Sequence, residues 1–125
     1  MSEFLDVAAA DEVGEGQMRG FTVDGHDLLV ALVDGTYFIS DGHCPHMHAT
    51  LWKGKLDGTV LTCPLHHSRF DLTDGHVVRW TDWTGVVKSV GDLARHPRPL
   101  RVYEVEVANG RVRVGPEKPP VPVAL

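Results

Sequence analysis

The sequence is short of several things, and each shortage narrows what it can do. It has no apolar run near the ~18 residues that a membrane span requires, so no membrane partner is expected. Its opening, Met1-Ser2-Glu3-Phe4-Leu5-Asp6, is acidic and lacks a basic stretch followed by an apolar one, so no signal peptide is expected. There is no Gly-rich phosphate loop, no internal repeat, and no biased segment beyond a Pro-rich tail at 115–125. Lys and Arg number 12 against 17 Asp and Glu, a net charge of −5. That balance argues against nucleic acid and anionic lipid as partners and permits a basic protein surface. There are only two cysteines. If both serve one site, none is left for a disulfide, which fits a reducing compartment and a cytoplasmic location.

Those two cysteines organise what is present. Cys44-Pro45-His46 opens a stretch that closes with Cys63-Pro64-Leu65-His66, and sixteen residues separate His46 from Cys63. Four borderline ligands in two Cys–His pairs make a metal site the first hypothesis. A mononuclear zinc finger usually draws its Cys pair from one loop and its His pair from another. Here each loop offers one of each. That suits two metals, with the thiolates on one and the imidazoles on the other. A structural zinc module remains the alternative of a different class.

The pattern C-x-H, sixteen residues, C-x-x-H resembles the Rieske iron–sulfur family. The context agrees: Leu51-Trp52-Lys53-Gly54, Leu56-Asp57-Gly58, and Phe70-Asp71-Leu72-Thr73-Asp74-Gly75. The resemblance implies one 2Fe–2S cluster, bound by Cys44 and Cys63 on one iron and by His46 and His66 on the other. It places Ser68 where some relatives donate a hydroxyl to a cluster sulfur, and Phe70 where they use a Tyr. Met47 is expected to shield the cluster or pack locally, and Pro64 to shape the second loop. Ala49 and Leu65 stand where high-potential relatives carry an extra disulfide. One hydroxyl kept, one lost, and no disulfide imply the low to middle part of the Rieske range of about −150 to +300 mV. Imidazole ligands near solvent imply a potential that falls at alkaline pH. His67 takes a position where the family usually has Gly, and is read as solvent-facing. His43 and His48 are read as exposed loop residues.

Thirteen glycines and eight prolines in 125 residues point to many turns, hence to one all-β domain over 1–125. The expected architecture is an antiparallel β-sandwich with a two-loop cluster-binding subdomain at about 41–71. Strands are predicted at 4–8, 18–23, 26–33, 36–40, 70–72, 76–80, 100–107 and 111–114, with a hairpin over 55–62. Asp24-Gly25, Asp34-Gly35 and Asn109-Gly110 mark tight hairpins. The apolar run Leu29-Val30-Ala31-Leu32-Val33 predicts a buried strand. Residues 81–98 exceed a hairpin connection, and Val86, Val87, Val90, Leu93 and Ala94 are spaced as a helix face that Pro97 would end. That helix is read as covering the sandwich, or else as a docking face with Trp80 and Trp83. Trp52 is expected to cap a small core.

Nothing in 125 residues offers room for the separate mononuclear-iron domain of a Rieske oxygenase. The resemblance therefore implies a ferredoxin, not an enzyme: a soluble one-electron carrier between a reductase and a terminal oxygenase. A small Rieske-like subunit of a nitrite-reductase-type enzyme is the rival within the family, and retention of all four ligand residues argues against it.

Overall fold

Three hairpin turns lay down most of the scaffold. Asp24 and Gly25 have φ of 51° and 76°, Asp34 and Gly35 49° and 77°, Asn109 and Gly110 53° and 73°. Positive φ at both central residues matches the right-handed twist of the flanking strands, which is why Asp, Asn and Gly occupy these turns. The computed structural model describes residues 4–45, 49–64, 67–79 and 99–119. The turns link β2 (Met18–Val23), β3 (His26–Val33) and β4 (Thr36–Asp41), and join β9 (Val102–Ala108) to β10 (Arg111–Glu117). With β1 (Leu5–Ala9) these form a six-stranded antiparallel sheet in the order β1-β10-β9-β4-β3-β2. A second antiparallel sheet, in sequential order, comprises β5 (Lys55–Asp57), β6 (Val60–Thr62), β7 (Arg69–Asp71) and β8 (Val77–Arg79). The result is the expected antiparallel β-sandwich with a small β-subdomain.

β3 is buried on both faces, which explains its unbroken apolar run. Leu28 and Val30 point into a core shared with Val13, Ile39, Val112 and Val114. Leu29 and Ala31, one residue out of phase, point the other way, into a core shared with Leu51, Leu61, Phe70 and Leu72. Alternating side chains from one strand thus nucleate two cores. The second core binds the small sheet to the large one.

The sequence and the structure part at the ends. The first strand is shifted one residue, to Leu5–Ala9, with a bulge between Asp6 and Ala8. After this strand the chain makes a 3-10 turn over Ala10–Glu12. β10 runs on to Glu117, past the Val114 at which the alternation stops, so the first residues assigned to the Pro-rich tail are strand. The register slips between Val114 and Glu117, and Gly115-Pro116 fills the slip. Proline has no N–H to donate, so a bulge is where a strand can hold it. Gly115 also lies close under Phe4, whose ring a Cβ there would meet at 2.5 Å. The proposed 81–98 helix, Trp80, Trp83 and the tail from 120 onward lie outside the described residues.

Gly75 is one joint between the two sheets. Its φ is +81°, its carbonyl accepts the Leu100 N–H at 2.9 Å, and an added Cβ would stand 1.9 Å from the Leu100 carbonyl oxygen. Gly75→Ala is therefore expected to destabilise the fold by about 2 kcal/mol or more, through left-handed strain plus a backbone clash. Denaturant midpoints at unchanged m-value measure this. A loss indistinguishable from that of Gly58→Ala, where φ is +58° but nothing lies within 4 Å, would remove the clash from the explanation.

Candidate metal centre

Two loops at one end of the small sheet close in the same way. Cys44 N–H donates to the Ala49 carbonyl at 2.9 Å, and Cys63 N–H donates to the Ser68 carbonyl at 2.7 Å. In each loop a cysteine opens the turn and the carbonyl five residues on shuts it. The expected histidine ligands, His46 and His66, fall between. A bridge between His43 and Thr50 continues the first closure, and β6 pairing with β7 continues the second. In the second loop His67 N–H also donates to the Cys63 carbonyl at 3.1 Å.

The structure brings the two cysteines into one place. Both are 1% exposed, both are thiols, and both belong to the core formed by Leu29, Ala31, Leu51, Leu61 and Phe70. An apolar shell of this kind keeps water from sulfur ligands. Ser68, whose carbonyl accepts from the Cys63 N–H, is fully buried, and its hydroxyl has no hydrogen-bond partner among the described residues. Leaving such a group unsatisfied costs roughly 1–3 kcal/mol. Two thiols buried in one core, and an orphaned hydroxyl donor on the loop that carries Cys63, fit a cluster whose sulfurs accept hydrogen bonds. Phe70, fully buried, offers no hydroxyl. Pro64 is exposed on the second loop, and its Cδ lies close to Gly54. His46, Met47, His48, Leu65 and His66 lie outside the described residues. Among the described residues no three His, Cys, Asp or Glu side chains converge to hold a metal.

Two supports were not legible in the sequence. His43, expected to be an exposed loop residue, is half-buried. Its Nε2 lies 2.9 Å from Asp27 Oδ2, and its ring centroid lies 5.9 Å from that of Trp52. The Thr22 hydroxyl donates to the other Asp27 oxygen at 2.8 Å. The hydrogen bonds from His43, first, and Thr22 hold the Asp27 carboxyl below the usual range. Trp52 lies against Gly20 and Gly42, where any Cβ would stand within 2.6 Å of its ring. It thus packs the first loop onto β2, and it also lies against the core that holds the cysteines, as expected. Further back, the Tyr103 hydroxyl donates to Asp41 at 2.5 Å. Burial, and then this bond, push the phenol far above its ordinary range, so it stays a donor.

His67 is exposed, as expected, but its φ is +60°. The family's Gly at this position thus has a backbone reason. The loop needs a left-handed residue between the Cys63 and Ser68 ends, and His supplies it under strain. His67→Gly is expected to leave stability unchanged or raise it by up to ~1 kcal/mol, whereas His67→Val should lower it by about 1–2 kcal/mol. Thermal midpoints of the loaded protein test the order. A Val variant as stable as the Gly variant would show that the loop does not demand a left-handed residue.

Comparison with known proteins places this geometry. The Rieske [2Fe-2S] domain profile matches residues 3–123. The chain is 31% identical over 116 residues to the ferredoxin component of the p-cumate 2,3-dioxygenase system of Pseudomonas putida, covering 91% of this chain and 86% of that one. It is 30% identical over 120 residues to the ferredoxin component of the alkene monooxygenase system of Xanthobacter autotrophicus, covering 94% and 85%. Among solved structures it matches a chain in the complex of reduced oxygenase and oxidized ferredoxin of carbazole 1,9a-dioxygenase. That match has a TM-score of 0.72 and 31% identity, and covers 92% of this chain and 95% of that one. The zinc-module alternative falls with these matches, and the chain belongs to the Rieske [2Fe–2S] domain family, with a single two-iron cluster as its cofactor.

Proposed function

We propose that the protein is the one-electron carrier of a multicomponent oxygenase system, taking electrons from a reductase and passing them to a terminal oxygenase. Cys44 and Cys63 bind one iron as thiolates, and His46 and His66 bind the other through imidazole nitrogen. The observation that carries this reading is the pair of buried thiols and the unpartnered Ser68 hydroxyl, closed off by matching backbone hydrogen bonds. Residues of about 41–71 form the cluster-binding subdomain. The relatives are themselves components that carry electrons, and the carbazole system shows a ferredoxin in complex with its oxygenase. Cysteines committed to a cluster suit a reducing cytoplasm, and no helix among the described residues is long and apolar enough to cross a membrane.

The cluster supplies one-electron chemistry when bound; the chain's own residues hold it, exclude water from its sulfur side and set its potential. The Ser68 hydroxyl would donate a hydrogen bond to a sulfur of the bound cluster, which would favour the reduced, more negative form. Phe70 withholds a second such bond.

Two measurements test this together. Protein made with ample iron and sulfide should be red-brown, carry two irons and two sulfides per chain, and lose its visible spectrum in Cys63→Ala. Colourless protein with one zinc, or an unchanged spectrum in Cys63→Ala, would overturn the assignment. Ser68→Ala should keep the spectrum and lower the potential by on the order of tens of millivolts. An unchanged or raised potential would mean that the hydroxyl is not aimed at a cluster sulfur.

A further inference from the structure

The net charge of −5 is not spread evenly, and its local distribution reverses what composition suggests about partners. In the small sheet Lys55 stands opposite Thr62, Thr62 opposite Arg69, and Arg69 opposite Arg79. Cross-strand partners share a face, so Lys55, Thr62 and Arg69 form one row across the sheet, and Arg79 joins it where the register slips between Arg69 and Phe70. The next row, Leu56, Leu61, Phe70 and Val77, is the opposite face, and it packs into the core that holds the cysteines. Burial of that row forces the first row outward, and Lys55, Arg69 and Arg79 are exposed. Lys53, at the end of the preceding turn, is exposed beside them.

The row lies at the cluster end of the sheet. Thr62 is followed by Cys63, and Arg69 is preceded by Ser68. A shallow groove of about 400 Å³ joins the four cations to Pro64 and His67 of the second loop. The acids of this sheet, Asp57 and Asp71, flank Val60 on the same face, two residues further from the second loop. No ion pair engages Lys53, Lys55, Arg69 or Arg79 among the described residues. The acids beside the first loop are occupied in contrast. Asp27 is held by His43 and Thr22, and Asp41 by Tyr103.

Four like charges along a groove, none of them in an ion pair among the described residues, repel one another and cost stability in the isolated protein. A partner surface of opposite sign relieves that repulsion and steers encounter. We infer that the Lys53–Lys55–Arg69–Arg79 row beside the second loop is a docking face for an acidic surface of a protein redox partner. This rests on the electron-carrier reading and adds the sign of the partner. A second copy of this chain also offers acids, and the test separates it.

The probe is an acidic flavodoxin in its hydroquinone form, which gives up one electron to become the semiquinone as the oxidised protein takes it up. Stopped-flow reduction is followed from about 10 mM to about 500 mM salt, spanning Debye lengths from ~30 Å to under ~10 Å. Binding is followed in parallel by calorimetry with both proteins oxidised. The rate and the affinity should fall as salt rises, although both proteins carry net negative charge. Lys55→Glu/Arg79→Glu should lower the low-salt rate and affinity roughly tenfold or more. Arg19→Glu/Lys118→Glu, the same change in net charge away from the row, should stay within about twofold, well short of that steering effect. A rate that rises with salt, equal effects of the two double variants, or a salt-sensitive dimer of this chain in place of a complex would each overturn the proposal. Potentiometric titration of the visible spectrum confirms that both variants keep the cluster. If the protein shows no reversible one-electron reduction, the carrier reading fails by itself, while the calorimetric arm still reports on the row.

Discussion

The structure depends on one strand being buried from both sides. β3 sends Leu28 and Val30 into the core of the large sheet, and Leu29 and Ala31 into a second core that includes Cys44 and Cys63. The thiols are therefore part of the packing that joins the small sheet to the large one, and do not hang from mobile tips. A rigid mount matters for a carrier of electrons, because structural change on gaining an electron would slow the transfer. Interior packing resists such change, since side chains at close-packed density have nowhere to move.

Much of this was legible in the sequence. The hairpins could be read because Asp-Gly and Asn-Gly encode φ > 0 locally, and those turns bound β2, β3 and β4 to within a residue. That the two cysteines serve one place could be read from their paired Cys-Pro contexts and the family resemblance these carry, and both lie in one core. What escaped was non-local. His43 looked like a polar loop residue because nothing in the chain order connects it to Asp27, sixteen positions earlier, yet β3 returns Asp27 to its side. The extension of β10 was hidden by Gly115-Pro116, a pair that ordinarily ends a strand and here fills a bulge. His67 was marked as a departure from Gly, but only the backbone shows that conformation is what Gly would have supplied.

Net charge was the least reliable guide, for a physical reason. A docking encounter feels charges within about a Debye length of the contact, ~8–10 Å near physiological salt, and not the sum over the molecule. Cross-strand register collects Lys55, Arg69 and Arg79 from three separate strands, with Lys53 in the turn just before the first, and none of these segments is a long basic run in sequence. A composition of −5 therefore coexists with a positive face where the second loop projects.

The short stretch from His67 to Leu72 concentrates these constraints. Burial alternates along it: His67 and Arg69 are exposed, while Ser68, Phe70 and Leu72 are buried. Because the side-chain period of an extended chain is two, the same residues that turn Ser68 and Phe70 inward must turn Arg69 outward. Inward, a hydroxyl is offered and an aromatic ring without one seals the core. Outward, a guanidinium joins the row that a partner would meet. Shifting the register of β7 by one residue would exchange the two sets, burying a cation against the thiols and exposing Phe70. The left-handed turn at His67 sets that phase, so the strain tolerated there holds the inward and outward roles apart.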